Sequence, residues 1–391
     1  MTTLTTGALA ATAAAAAIPA SLHAAVEDAA RPGAGNGAPP PNFVIILADD
    51  AAWNDIGAYG HPHVKTPNID RLAREGMRFT NAFLTCSQCS PTRASVLTGR
   101  YPHNTGAPDL HDPLPGDQVT LPELLDDQGY FTASCGKWHL GEPTRAKFDR
   151  IENAGWMGGG YGEKGLKILR QRPEDQPFFL WFAAWDPHWP YGADNPPRRH
   201  KPDAAVVPPF IPDTPGVRKD LADYYNEIAR LDDYVGKVYA ELDKQGILDN
   251  TFILFFSDNG RPFPRCKSFL YDSGIKMPFI VRYPKRIKPG TTYDGMISAI
   301  DIAPTVLELA TGWRPSRPPT LSRTSSNSNS QPAKNENTDL DRDKDRDDGG
   351  DEEFDEDRDK DRDEDRDKVG AGPETFQGRS LVPAFEDPER T

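Results

Sequence analysis

Four short apolar runs, each closing on polar or charged side chains, constrain this chain more than any other feature. They are NFVIILADD (42–50), YFTASCGKWHLG (130–141), PFFLWFAAWDPHWPY (177–191) and TFILFFSDNG (251–260). Each is rich in β-branched or aromatic residues, and amphipathic segments separate them. That alternation predicts an α/β domain built on a mostly parallel sheet. Between the runs, Leu221, Tyr225, Ile228, Leu231, Val235, Val238 and Leu242 recur three or four apart, which predicts a helix over 218–245 stopped by Gly246. A second helix is expected over 66–76, with Thr66 as N-cap, Pro67 at its first position and Gly76 as terminator.

In open α/β sheets, ligands bind beyond the carboxyl ends of the strands, where loops converge. The four runs bring Asp49, Asp50, Lys137, His139, Asp186, His188, Asp258 and Asn259 to those ends, and one site is able to hold them all. Carboxylates and an amide are hard oxygen ligands that suit Ca²⁺ or Mg²⁺. Arg93, Lys137, His139 and His188 suit an oxyanion lying against such a cation, so a sulfate or phosphate ester is the implied substrate. Taken singly, each element has a plainer reading: a DD pair as a turn or cap, a histidine as a surface residue, DNG as a turn. The plainer reading must then explain separately why four runs all end in ligand-type residues.

Four cysteines, Cys86, Cys89, Cys135 and Cys266, are too few for a disulfide-built scaffold. Cys86 and Cys89 form a C-x-x-C pair, but no second Cys/His pair completes a zinc site, and a redox motif of this kind belongs to a much smaller domain. Cys89 instead opens CSPTRASVLTGR (89–100). A helix beginning near Pro91 would set Cys89 at its positive end, among free N–H groups that favour anions. The alternative, a buried structural cysteine, fits poorly with Ser90, Thr92 and Arg93 beside it.

This segment resembles the signature of the type I, formylglycine-dependent sulfatases: C-x-P-x-R followed by a T-G pair, here Thr98-Gly99. The resemblance covers Pro41 to Gly312 and resumes at FQGRSLVPAF (376–385). Within the family, NAF…CSPTRASVLTG, VPPFIPDTPGVRKDLADYYNEIARLDDYVG and SDNGRPFPR are most similar to the sulfamidase, or heparan N-sulfatase, branch. The resemblance implies an alkaline-phosphatase-like fold and hydrolysis of sulfate esters or sulfamates of a glycan by a Cα-formylglycine made from Cys89. It further implies that Asp49, Asp50, Asp258, Asn259 and residue 89 bind the cation, Ca²⁺ by family and Mg²⁺ by the alternative the ligands allow. Arg93 would hold the formylglycine hydrate, Lys137, His139 and His188 would contact sulfate oxygens and the leaving group, and Lys267 would bind substrate, with Arg265 as a competitor. His139 or His188 would serve as general acid. An aldehyde hydrate suits this task because it carries two hydroxyls on one carbon, one to attack sulfur and the other to expel sulfate.

The family usually adds a small C-terminal domain, which is expected to be largely absent here. Residues 42–313 are expected to form the catalytic domain. Residues 1–41 contain LAATAAAAAIPASLHAA, which reads as an export signal, although no Lys or Arg precedes Arg31; an Ala/Pro/Gly-rich disordered tail is the alternative. A periplasmic or secreted location follows from the first reading. Residues 314–372 turn Ser/Pro/Asn-rich and then run in near-repeats of DRDKDRDED, so a disordered acidic insert is expected, with 373–391 a residual C-terminal segment. The stretch 336–368 alone carries 19 acidic against 8 basic residues, which leaves the rest of a chain of net charge −14 near neutral. No nucleic-acid partner is expected, and after the N-terminal run no stretch approaches twenty uninterrupted apolar residues, so no membrane span is expected. The expected partners are a sulfated small molecule or glycan and, during maturation, a formylglycine-generating enzyme. Two other functions share these residues: a phosphatase or phosphonate hydrolase of the same superfamily, and an inactive sulfoglycan-binding protein with an unconverted Cys89.

Overall fold

The computed structural model describes residues 39–153, 160–192, 196–313 and 376–389. The expected export signal, the acidic 314–372 stretch and the ends of the 373–391 segment lie outside the described residues.

Eight strands form one sheet: β1 (Asn42–Ala48), β2 (Met77–Phe83), β3 (Phe131–Gly136), β4 (Arg150–Asn153), β5 (Phe178–Ala183), β6 (Thr251–Ser257), β7 (Phe279–Arg282) and β8 (Thr291–Ser298). Their order is β4-β3-β5-β1-β6-β7-β2-β8. Only β7 runs against its neighbours, β6 and β2. The four apolar runs become β3, β5, β1 and β6, which lie side by side. Their register is level: Gly136 and Leu47 both face Ala183, and Ala48 faces Ser257. The residues that follow these strands therefore emerge along one edge, so this is an alkaline-phosphatase-like sheet with its loops gathered at the carboxyl end.

The continuous apolar character of the central strands has a direct cause, because both faces are covered. Phe43, Ile45 and Leu47 enter one core with Ala94 and Leu97 of α2 (Cys89–Thr98) and Val306 and Leu307 of α5 (Ile302–Thr311). Val44, Ile46 and Ala48 enter the opposite core with Ile69 and Leu72 of α1 (Pro67–Glu75), Leu166 and Leu169 of α3 (Tyr161–Gln171) and Leu221, Ile228 and Leu231 of α4 (Pro215–Lys244). Each such fully buried aliphatic or aromatic side chain contributes about 1.5–3 kcal/mol. The first core also takes in Phe376 and Phe385, and the Gln377 N–H donates to the Gly99 carbonyl at 2.8 Å, so residues 376–385 pack onto the domain that carries the CSPTR helix.

Two helix ends differ from expectation. The α4 helix starts at Pro215, three residues before the expected Arg218, because Thr214 caps it: its hydroxyl accepts from the Val217 N–H at 3.3 Å. Thr66 precedes α1 but does not cap it, since its hydroxyl donates to Asp70 at 2.9 Å and accepts from the Gly57 N–H. The free N–H groups of Asn68 and Ile69 go instead to the Asp232 carboxylate of α4, at 3.0 and 2.8 Å. Among the described residues no helix is long and apolar enough to cross a membrane.

Candidate active site

Asp49 and Asp50 follow β1, the central strand, and both are fully buried. Their neighbours come from the loops beside them. The Lys137 ammonium after β3 donates to Asp49 Oδ2 at 2.5 Å, and Lys267 donates to Asp50 Oδ1 at 2.7 Å. Asp258 after β6 accepts the Asp50 N–H at 3.2 Å, and Asn259 Nδ2 donates to Asp50 Oδ1 at 2.6 Å. Arg93, buried in α2, donates through Nε and Nη2 to Asp258 Oδ2 at 3.0 and 2.8 Å and through Nη1 to the Lys137 carbonyl. His188, after β5, donates through Nδ1 to the Trp189 carbonyl, which leaves Nε2 3.8 Å from Asp50 Oδ2.

Cys89 is the first residue of α2, two positions earlier than the expected helix start. Its Sγ lies 3.6 Å from Asp49 Oδ1 and 4.0 Å from Asp50 Oδ1. The residue is buried, as the structural reading supposed, yet it belongs to neither apolar core and faces carboxylates. The positive helix end does not make it a thiolate: burial first, then Asp49 and Asp258, push the thiol well above its ordinary range. Chemistry at this position therefore calls for a different functional group, or for a cation that offsets the carboxylates.

The charges are unevenly shared. Burial alone would raise Asp49, but Lys137 and Arg93 drag it well below the usual carboxylate range. Asp50 moves the other way, raised by burial and by Asp49 faster than Lys267 can offset it. Asp50 Oδ2 and Asn259 Oδ1 are buried without a hydrogen-bond partner. Two orphaned oxygens beside excess carboxylate are the donor set a hard divalent cation fits. Atoms of Asp49, Asp50, Cys89 and His188 lie within 4.8 Å of one another. His188 thus joins the possible ligands although it was expected only at sulfate or the leaving group, while both oxygens of Asp258 are already engaged.

In front of this cluster opens a cavity of about 410 Å³, lined by Cys89, Lys137, His139, His188, Lys267 and, unforeseen, His111. Five of the ten anticipated site residues thus line one pocket, and Asp49, Asp50, Arg93, Asp258 and Asn259 are joined to them by hydrogen bonds. The Arg265 guanidinium does not compete with Lys267, because it lies over Tyr271 and Phe210, at 4.6 and 5.6 Å from their ring centroids. Asp186 is the correction: it sits at a strand end as expected, but its carboxylate is held by Arg230 at 2.5 and 2.8 Å and by the Tyr161 hydroxyl at 2.8 Å, outside the pocket. Of the C-x-x-C pair, Cys86 bonds Thr92 Oγ1 at 3.3 Å, and all four cysteines are free.

The backbone marks the same place. Among the described residues, the non-glycine residues with positive φ are Asp50, His111, His139, Arg265 and Ser268. All five belong to the site or flank Lys267. Left-handed backbone at such residues persists only where surrounding structure enforces it, and it concentrates at functional sites.

Comparison with known families agrees with this geometry: the sulfatase family pattern matches residues 41–312. The chain belongs to the sulfatase family. It is 36% identical over 304 residues to human N-sulphoglucosamine sulphohydrolase, covering 69% of this chain and 60% of that relative. It is 29% identical to an ulvan-active sulfatase of Formosa agariphila, covering 69% of this chain and 52% of the relative. Among solved structures, Ps i-CgsB in complex with k-i-k-neocarrahexaose superposes with a TM-score of 0.58 at 26% identity, covering 70% of this chain and 72% of that one. The chain thus spans between about half and two thirds of the length of these two curated relatives.

Proposed function

We propose that this sulfatase-family chain hydrolyses sulfate esters or sulfamates of a glycan, through a Cα-formylglycine made from Cys89 by a formylglycine-generating enzyme. The observation that carries the proposal is the position of Cys89: first residue of α2, 3.6 Å from a carboxylate of the cation-type cluster, at the floor of a cavity walled by Lys137 and Lys267. The cavity's volume falls within the range of small-molecule sites, roughly 300–1,000 Å³.

In this reading Asp49, Asp50, Asp258 and Asn259 hold Ca²⁺ with residue 89, and the cation supplies Lewis-acid polarisation of a sulfuryl oxygen. Addition of water to the formylglycine aldehyde would supply two hydroxyls on one carbon, one to attack sulfur and one to expel sulfate as the carbonyl re-forms. Arg93, itself held by its two donors on Asp258, would hold the formylglycine hydrate. Lys137 and Lys267 neutralise charge that grows on the sulfuryl oxygens, an electrostatic contribution of about 3 kcal/mol for a single well-aimed donor. His188, with Nδ1 fixed on a backbone carbonyl, presents Nε2 toward the leaving group. The sulfamate branch is favoured by the identity with an N-sulphoglucosamine sulphohydrolase. Export to the periplasm or beyond is proposed from the N-terminal run.

The test has two arms. After co-expression with the maturing enzyme, the peptide containing residue 89 is weighed, and the side chain is expected to lose sulfur and two hydrogens and to gain one oxygen. The converted protein is then offered nitrophenyl sulfate and nitrophenyl phosphate. Turnover of the sulfate supports the reading. Cleavage of the phosphate alone favours a phosphatase or phosphonate hydrolase, and an unmodified thiol in a protein that binds sulfated glycan favours the inactive binder.

A further inference from the structure

His111 has no role in the reading above, yet the structure builds a pair around it. Its Nδ1 lies 2.7 Å from His139 Nε2, with ring centroids 4.8 Å apart. Both residues adopt left-handed backbone, φ +75° at His111 and +53° at His139, which neither would hold without enforcement. The enforcement is visible. The His111 N–H donates at 2.7 Å to the hydroxyl of Ser90, the residue after Cys89. The two loops are tied by the Leu114 N–H on the Leu140 carbonyl at 3.0 Å, and Gly141 approaches Pro113 so closely that a Cβ there would lie 2.4 Å from the proline Cβ.

We propose that His111 is a positioning residue of this site, accepting at Nδ1 the proton on His139 Nε2 and so fixing His139 with a bare Nδ1. The proposal rests on the sulfatase reading for its reaction, though not for its geometry.

The reasoning runs through the two nitrogens of His139. Burial, together with Lys137 and Arg93, pulls this histidine down to about 3, so it is neutral and carries a single ring proton. Its Nδ1 is buried without a hydrogen-bond partner. A proton there would be an unsatisfied buried donor, whereas a proton on Nε2 has His111 as acceptor. The second form leaves Nδ1 as a bare lone pair in a residue lining the cavity, able to accept a hydrogen bond from a donor in the pocket. A third group that orients a base through its other nitrogen is the general device of histidine catalysis. The outer nitrogen of His111, which is exposed, then carries the proton on the solvent side.

The test uses the full chain with residue 89 matured. Truncation in His111→Ala is expected to lower kcat for nitrophenyl sulfate by about 10- to 100-fold, the loss typical of an outer partner that orients a site residue, with KM changed less than about twofold. His111→Asn places its amide oxygen near the former Nδ1 and is expected to recover most of the rate, while His111→Gln reaches past that point and is expected to resemble alanine. Wild-type kcat in His111→Ala, or equal rescue by glutamine, overturns the proposal. A readout independent of turnover is the ¹⁵N spectrum of histidine-labelled protein. His139 is expected as the Nε2–H form in wild type and in His111→Asn, and as a mixture or the Nδ1–H form in His111→Ala. An unchanged His139 tautomer in the alanine variant also overturns it. If wild type turns over no sulfate, the sulfatase reading fails, and the spectrum still decides the pairing.

Discussion

Two clusters of buried carboxylates stand beyond the strand ends, and they obey opposite rules. Around Asp186 each oxygen of that carboxylate is taken, by the Arg230 fork and the Tyr161 hydroxyl, and Glu227 shares the same guanidinium. Around Asp49 and Asp50, oxygens remain orphaned, the cations Lys137 and Lys267 reach in from separate loops, and a cavity opens in front. The first cluster is complete by itself and holds the fold. The second is incomplete, and an incomplete buried cluster is what a ligand or cation finishes. Residue type and chain position do not separate the two; unfilled hydrogen-bonding capacity does.

Exchanging a single residue in each cluster should therefore give crossed outcomes. Asp50→Asn is expected to cut sulfate turnover by at least about 100-fold, as loss of a ligand exceeds the 10–100-fold typical of outer partners. Its melting temperature should stay at or above that of metal-free wild type, because a strained buried charge has gone. Arg230→Ala is expected to do the reverse. It strands Asp186 and Glu227 and should cost about 3 kcal/mol of stability, the lower end for breaking a buried pair because the Arg230 side chain is 15% exposed. The folded fraction should retain turnover. Urea midpoints and steady-state rates on both variants check this, and equal stability losses would erase the distinction.

A smaller effect is expected from the cation itself. Ca²⁺ added to protein stripped with a chelator should raise stability by about 2.7 kcal/mol at a concentration 100 times its dissociation constant, since it binds the folded state. Thermal unfolding with and without Ca²⁺ measures the shift. Asp50→Asn should abolish it and Arg230→Ala should leave it intact. A shift of equal size in Asp50→Asn would place the cation elsewhere.

The sequence made the central strands and the seven site residues that follow them legible for one reason, while Cys89, Arg93 and Lys267 were legible only through the C-x-P-x-R segment and the family resemblance. Strands covered on both faces are continuous apolar runs, and level register turns their ends into neighbours. The outer strands lack that signal: β2 alternates between buried and half-buried residues, β4 and β7 are four residues long, and the reversed direction of β7 is set by its pairing with β6 and β2. Asp186 reads like a ligand because its type and position are those of a ligand, and Arg230, 44 residues away, and the Tyr161 hydroxyl remove it. His111 sits in a Pro- and Asp-rich loop, where nothing in the local pattern distinguishes it from a turn residue. Its signals are tertiary: left-handed backbone, the Ser90 anchor and the partner ring of His139. The cap of α1 is hidden from the local sequence for the same reason, since Asp232 lies on a different helix.

The most subtle contrast lies in protonation. In the filled cluster one guanidinium serves two carboxylates: Arg230 makes two contacts to Asp186 and one, at 2.5 Å, to Glu227. Burial and then the Asp186 charge push Glu227 up to about 8 from its ordinary 4.5. A group whose folded pKa is raised binds its proton more tightly when folded, so this stabilisation is complete below about 4.5 and is lost as pH climbs toward 8. Glu227→Gln keeps the size and neutrality of the protonated acid and cannot ionise. Wild type should therefore lose stability relative to the variant over that window, by at most about 1.4 kcal/mol per pH unit, with the two alike near pH 5. Urea midpoints taken at intervals from pH 5 to 8.5 resolve the slope. Should wild type and variant instead run parallel from pH 5 to 8.5, Glu227 is already ionised in the fold across that window, and the filled cluster carries the same surplus charge as the open one.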